Sequence, residues 1–135
     1  MILKTYSRLF SADCDATLDT LERLHGRKPH LRFRFGEWDL AGIDDMFVVA
    51  GTEESLAPIR DSHGPVIVRD LEAVQAQLLA SGATITQPIV EVPTGRMLYA
   101  RHVDGLHIEY VEWTAELVET FVRAPQREGR LASEL

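Results

Sequence analysis

The same order of secondary-structure patterns occurs twice in this chain of 135 residues, and this internal repetition constrains the fold more than any single segment does. In each half, the spacing of the apolar residues predicts a strand, a helix and three further strands. The first unit covers about residues 2–51 and the second about residues 58–113. Two tandem β-α-β-β-β units predict an α+β fold that forms a single domain over residues 1–113.

The first unit begins with the apolar and β-branched segment MILKTYSRLF, which is typical of a strand. A helix follows, with Asp13 or Asp15 as its candidate N-cap and Gly26 as its stop. HLRFRFGEW then alternates apolar and basic residues, which indicates a half-buried strand, and two shorter strands are predicted around the turn at residues 44–45.

The second unit follows the same order. HGPVIVRD is a short apolar strand, and the next helix has Asp70 as its N-cap and Gly82 as its terminator. Pro88 interrupts the following strand, which predicts an edge position or a bend there. The last two strands form a hairpin over the turn Asp104-Gly105, which is the best short-range hairpin signal in the chain.

Residues 114–135 follow the two units and predict a C-terminal helix and tail. TAELVETFVRA has the spacing of a short amphipathic helix, with Thr114 as its cap and Pro125 as its end. The final segment, PQREGRLASEL, has little apolar content and predicts a mobile tail or a partner contact.

The composition excludes several classes of function. A formal net charge of -7 disfavours a general nucleic-acid or anionic-membrane role, because both require a cationic surface. No apolar run approaches the roughly 20 residues that a membrane helix needs, so we expect a cytoplasmic protein. Cys14 is the only cysteine, which excludes an intrachain disulfide and a thiolate zinc cluster.

The closing strand of the second unit, within HVDGLHIEYVEW, is the segment with the most polar chemistry. Side chains alternate between the two faces of a strand, so Ile108 and Tyr110 share one face while His107 and Glu109 share the other. An imidazole and a carboxylate on one face suggest a site for a ligand, a metal ion or proton transfer.

The tandem units and the DG-x-x-I-E pattern of DGLHIE resemble the vicinal oxygen chelate superfamily, which includes glyoxalase I, extradiol dioxygenases, fosfomycin-resistance enzymes and bleomycin-binding proteins. The resemblance covers about residues 2–113. It implies that the two units form curled sheets that close an incomplete barrel around a cavity, with the helices outside. It also implies that Ile108 and Tyr110 pack under a helix, while His107 and Glu109 face the cavity.

The resemblance also implies a metal site, and the chain fits only half of it. The second unit places His63 seven residues before Asp70 and Glu109 after the turn, where the family has two ligands for Fe, Mn, Ni, Co or Zn. The first unit has Tyr6 or Arg8 at the matching position of its first strand. A guanidinium repels a cation, so we expect Arg8 to pair with Glu109 instead.

The leading functional hypothesis is a metal-free protein of the bleomycin-resistance type that binds a small anionic or aromatic molecule. Its candidate ligand-binding residues are Tyr6, Arg8, Arg32, Arg34, Arg101 and Trp38. The alternation around Arg32 and Arg34 equally fits a solvated face.

Two further hypotheses stay open at this point. One is a metal-dependent lyase, isomerase or dioxygenase with His63 and Glu109 as ligands and His107 as the proton-transfer residue. The other is a structural or regulatory dimer with a vestigial pocket. The resemblance implies a homodimer, in which the two units pair within one chain or swap between chains.

Overall fold

The predicted order of elements is present in the computed structural model, which describes residues 1–128; residues 129–135 of the predicted tail lie outside the described part. The first unit contains β1 (Ile2–Thr5), β2 (Ser7–Ser11), α1 (Cys14–His25), β3 (Leu31–Phe35), β4 (Trp38–Ile43) and β5 (Met46–Ala50). The linker forms α2 (Glu53–Leu56) and a 3₁₀ turn (Ala57–Ile59). The second unit contains β6 (Ser62–Val68), α3 (Leu71–Ala80), β7 (Thr84–Val92), β8 (Gly95–Arg101) and β9 (His107–Trp113).

The helix boundaries follow from the predicted caps. The carboxylate of Asp13 accepts a hydrogen bond from the amide of Ala16, and Asp70 caps α3 in the same way. Gly26 ends α1 with φ at 69°, a left-handed conformation that glycine adopts without steric cost. These local signals therefore fix where both long helices begin and where α1 ends.

Within residues 1–128 the strands form two sheets, which confirms the predicted α+β fold of two β-α-β-β-β units. The first sheet has the order β2-β5-β4-β3, and the second has the order β1-β6-β9-β8-β7. In each unit the first long strand lies parallel to the last one, as β2 with β5 and β6 with β9. The predicted edge position of the strand with Pro88 is confirmed, since β7 ends the second sheet.

The first predicted strand is divided at Tyr6. Its first half, β1, pairs with β6 of the second sheet, and its second half, β2, pairs with β5 of the first sheet. The amide of Tyr6 donates a hydrogen bond to the carbonyl of Pro65 at 3.1 Å. The prediction of one continuous strand is thus wrong, and the division at Tyr6 joins the two units within a single chain.

Three apolar clusters hold the layers together. One lies between α1 and the first sheet, and another lies between α3 and the second sheet, where Leu71, Val68 and Leu98 are fully buried. Complete burial of such a side chain contributes about 1.5–3 kcal/mol. The third cluster, which we call the interior core, is lined by strands of both sheets and includes Phe47 and Trp113.

The two faces of β9 point as the alternation predicts. Ile108 and Tyr110 pack with the cluster under α3. Val111 and Trp113 belong to the interior core, and Glu109 shares their face of the strand. The carboxylate of Glu109 is therefore turned towards the space between the sheets.

The C-terminal helix begins as predicted and ends differently. Thr114 caps α4 (Ala115–Val118), which continues through a π-helical turn (Glu119–Arg123) into α5 (Ala124–Arg127). The predicted end at Pro125 is wrong, because proline is accommodated in the first turn of a helix, where its missing N–H has no intrahelical partner. Val122 is buried in the interior core. No described helix has the length and apolar character to span a membrane.

Candidate functional site

A small cavity of about 30 Å³ lies in the interior core, and strands of both sheets line it. Most of its wall is apolar, with the aromatic side chains of Phe33, Phe35, Trp38, Phe47, Tyr99 and Trp113. One buried water occupies roughly 10–15 Å³ when volume is measured in this way, so the closed cavity holds no more than a few waters. Phe33, Phe35 and Trp38 are only partly buried and form its most exposed wall.

A polar cluster closes the cavity on one side. Arg8 of β2 donates from Nη1 to the hydroxyl of Ser62 at 2.9 Å and to that of Tyr99 at 3.1 Å. Its Nη2 donates to Oε1 of Glu109, and the two residues form an ion pair. The side chain of Arg8 is 2% exposed and that of Glu109 is 14% exposed. The predicted contact between Arg8 and Glu109 is therefore present and lies inside the protein.

The charges of this cluster stabilise each other. Burial disfavours the cationic form of Arg8, but the charge of Glu109 and the contacts with Tyr99 outweigh that effect and raise the pKa of the guanidinium. Burial also raises the pKa of the Tyr99 hydroxyl, and the negative charge of Glu109 adds to the increase. Tyr99 therefore stays protonated at neutral pH, and the cluster consists of one cation, one anion and two hydroxyls.

One hydrogen-bonding group in this cluster has no partner. Nε of Arg8 is buried, and in the described part of the chain it makes no hydrogen bond. A buried donor that is left without an acceptor costs roughly 1–3 kcal/mol. Arg8, which lines the cavity, therefore has one N–H group that makes no hydrogen bond among the described residues.

Solved structures with this arrangement of two units are similar to the chain over most of its length. An uncharacterized protein from Methanosarcina mazei is 36% identical, with a TM-score of 0.78 over 84% of this chain and 94% of that one. Methylmalonyl-CoA epimerase from Mycobacterium tuberculosis is 15% identical, with a TM-score of 0.68 over 88% and 93%. The Streptomyces coelicolor epimerase in complex with 2-nitronate-propionyl-CoA is 15% identical, with a TM-score of 0.66 over 85% and 97%.

The chain has the fold of the vicinal oxygen chelate superfamily. It matches no protein-family model. It also matches no curated protein. The likeness to the epimerases is below 25% identity, so those structures establish the fold and leave the ligand and the reaction to be argued from the site.

The resemblance to the superfamily implies that His63 and Glu109 of the second unit bind one metal ion together. The structure does not place these two side chains on the same face. His63 is in register with Ile108, and Ser62 is in register with His107, so His63 lies on the outward face of β6 and is exposed. The prediction of His63 as a metal ligand beside Glu109 is wrong, because adjacent residues of a strand point to opposite faces. Ser62 takes the inward position instead.

The residues around Glu109 do not fit a divalent metal ion. A guanidinium contacts the one carboxylate that would bind the ion, and Ser62 and Tyr99 supply only neutral hydroxyls. Among residues 1–128, three acidic or imidazole groups come close enough to share an ion only at Asp70, Glu72 and Glu112, on the outer surface. The guanidinium of a neighbouring arginine already contacts two of these three carboxylates.

Three of the predicted ligand-binding arginines do not line the cavity. Arg32 pairs with the carboxylates of Asp39 and Asp15, and the side chain of Arg34 is 70% exposed. Their strand places Phe33 and Phe35 inward, which leaves both arginines on the solvated face. Arg101 binds Asp61 at 3.0 Å outside the cavity. The alternative of a solvated face is confirmed for Arg32 and Arg34.

Two predicted aromatic residues have different positions. Trp38 lines the cavity and donates its indole N–H to the carbonyl of Ser55 at 3.0 Å. Tyr6 is buried in the interior core without lining the cavity, and its hydroxyl makes a 2.6 Å hydrogen bond with Nε2 of His30. The prediction of Tyr6 as a ligand-binding residue is therefore not supported by its position, because its polar group faces His30.

His107 is buried and both of its ring nitrogens are engaged. Nδ1 lies 2.9 Å from Oδ1 of Asp61, and Nε2 lies 2.8 Å from the hydroxyl of Thr86. The ring contacts that of Tyr99, with 5.5 Å between their centroids. The predicted proton-transfer role of His107 stays a prediction. In this geometry the ring of His107 contacts Tyr99 of the polar cluster and helps to position it.

The residues that sequence reasoning missed are the neutral members of the site. Ser62 binds Arg8, and Thr94 and Met97 line the cavity. A count of the alternation backwards from the inward-facing Ile67 favours His63, and the irregular register between His63 and Val66 brings Ser62 to the inward face instead.

Proposed function

We propose that this protein binds a small organic molecule in the cavity of its interior core and that it does so without a divalent metal ion. The observation that carries the proposal is the buried ion pair of Arg8 and Glu109, which occupies the place where the superfamily resemblance implies a metal. A resident cation would have to displace the guanidinium from its only carboxylate partner among residues 1–128. The aromatic wall of the cavity suits an organic ligand.

Structural relatives with this fold bind small organic molecules. The Streptomyces coelicolor epimerase has been solved with 2-nitronate-propionyl-CoA, and another structure of methylmalonyl-CoA epimerase holds methylmalonyl-CoA and NH4+. The cavity of the present chain is small in its closed state, so a ligand requires its partly buried aromatic side chains to move aside. We therefore take from these relatives only that this fold can bind a small organic molecule, and the location of the site follows from the cavity of this chain.

Metal analysis of protein purified without chelators tests the proposal. We expect far less than one metal ion per chain, and no binding of added Mn²⁺ or Zn²⁺ that depends on Glu109. Glu112→Ala is the matched control, because Glu112 belongs to the acidic group on the outer surface. Stoichiometric metal that is lost in Glu109→Ala and retained in Glu112→Ala would contradict the metal-free site and would favour a metal-dependent enzyme.

The ligand side of the proposal has a separate test. Trp38 and Trp113 line the cavity, so their fluorescence reports on a bound molecule. We expect aromatic compounds to change this fluorescence in a saturable way and to raise the melting temperature, since a ligand at a hundred times its dissociation constant stabilises by about 2.7 kcal/mol. The absence of both effects across a broad panel would favour a vestigial pocket. The homodimer stays a prediction, which light scattering tests.

A further inference from the structure

The polar end of the cavity is electrically balanced. Among the described residues that line it, only Arg8 and Glu109 carry a charge, and they are paired with each other. A ligand anion there would be attracted by Arg8 and repelled by the adjacent carboxylate, and a ligand cation would meet the opposite combination. Transfer of either ion into an apolar cavity also costs its hydration. The site therefore disfavours both charged forms of a ligand.

Two hydrogen-bonding groups remain free within this balanced pair. Within residues 1–128, Nε of Arg8 is a buried donor without a hydrogen-bond partner. On Glu109, Oε1 accepts from Arg8, whereas Oε2 takes part in no hydrogen bond among the described residues. The ion pair thus offers one donor and one acceptor from neighbouring side chains. A ligand that satisfies both must itself carry an acceptor and a donor close together.

The rest of the wall selects the body of the ligand. Phe33, Phe35 and Trp38 come from the β3–β4 hairpin, and Phe47 and Trp113 face them from β5 and β9. Flat aromatic groups gain both apolar burial and favourable ring contacts among such side chains. A single ring is larger than the cavity of about 30 Å³, so its entry requires these three partly buried hairpin side chains to move outward.

We infer that the cavity recognises neutral aromatic molecules with an amide-like edge, in which a carbonyl oxygen accepts from Nε of Arg8 and an N–H donates to Oε2 of Glu109. This inference rests on the proposed function and replaces the expected preference for anionic ligands. Primary aryl amides and lactam-type heterocycles are the chemical class that it names, because they combine a flat ring, no net charge, and adjacent donor and acceptor atoms.

Four ligands of nearly equal shape test the inference with the full chain. Benzamide has a donor and an acceptor, acetophenone has only the acceptor, benzoate is an anion and benzamidine is a cation. We expect titration calorimetry or tryptophan fluorescence to show that benzamide binds at least about tenfold more tightly than each of the others. A preference for benzoate or benzamidine would overturn the inference while leaving a cavity that binds small molecules.

The variant Glu109→Gln provides a second readout at the same site. It removes the negative charge and leaves Arg8 unbalanced, so we expect benzoate to gain at least about tenfold in affinity and to overtake benzamide. Arg34→Gln is the matched control, because it changes a charge on the solvated face and should leave the order of the four ligands unchanged. An unchanged order in Glu109→Gln would place binding elsewhere and overturn the inference. If none of the four ligands binds the wild-type chain, the inference fails, whereas the proposed function fails only if the broad panel of small molecules also gives no effect.

Discussion

Separation of Arg8 from Glu109 is the perturbation that tests the interior of this protein most directly. Removal of one partner from a buried ion pair costs about 3–5 kcal/mol, because the remaining charge loses its counter-ion. We expect Arg8→Met to cost about 3 kcal/mol and Glu109→Met about 5 kcal/mol. The order follows from the burial, since Arg8 is 2% exposed and Glu109 is 14% exposed. A carboxylate can also take up a proton, whereas a guanidinium remains charged.

The double variant separates the charge effect from the loss of packing. Arg8→Met with Glu109→Met removes both charges and keeps two flexible apolar side chains of similar length, so we expect it to be more stable than Glu109→Met alone. The coupling energy between the two positions should reach about 3 kcal/mol or more. Native proteins typically have a free energy of unfolding of about 5–15 kcal/mol. If Glu109→Met does not fold, Arg8→Met and the double variant should therefore still be stable enough to measure.

Urea denaturation followed by tryptophan fluorescence is the suitable assay, because Trp38 and Trp113 line the cavity. Arg34→Met, on the solvated face, serves as the control. Single losses below about 1 kcal/mol that add in the double variant would refute the reasoning.

Three further predictions concern sites outside the cavity. Gly95→Ala should cost about 3 kcal/mol or more in thermal unfolding, because φ is 146° and a Cβ would come within 2.0 Å of the carbonyl oxygen of Glu112. Gly36→Ala is the control. Gly36 has a φ of 58° and open space around it, so this substitution should cost only about 1 kcal/mol. Glu112→Ala should cost about 1 kcal/mol in thermal unfolding, because it removes the carboxylate that accepts from the first amide of α3 at 3.1 Å. A hydrogen bond from His107 lowers the pKa of Asp61. The stability that ionised Asp61 contributes to the fold is therefore fully present above its unfolded-state pKa, and it is lost as pH falls through its folded-state pKa. Urea titrations below about pH 4 should therefore show a smaller decline for Asp61→Asn than for the wild type.

The sequence predicts most of the fold because each element carries its own local signal. Asp13 and Asp70 cap the two long helices, and the Asp104-Gly105 turn sets the last hairpin. The division of the first strand at Tyr6 has no such signal, because all of MILKTYSRLF has strand character. Its two halves are assigned to different sheets by pairing with β5 and β6, which are distant in sequence. Local propensity does not contain that information.

The sequence predicts only part of the candidate site, because the positions of some of its residues depend on strand register. The pairing of Arg8 with Glu109 follows from charge alone, since a cation and an anion on facing strands attract each other wherever the strands close. The position of His63 depends on a single step of register, and a shift by one residue moves a side chain to the other face. The irregular pairing between His63 and Val66 lies at this point of β6, so spacing along the sequence selects the wrong residue.

The chemistry of the buried cluster is better explained by a ligand than by stability. An apolar pair of similar volume is often as stable as a buried ion pair, so the presence of Arg8 and Glu109 in the core is weak evidence for a structural role. The unpartnered Nε of Arg8 makes the arrangement less favourable still. A bound molecule that accepts from Nε would remove this cost, whereas repacking of the apolar wall would not. The cavity, the balanced charges and the free donor therefore have one common explanation, which is recognition of a neutral polar edge on an aromatic ligand.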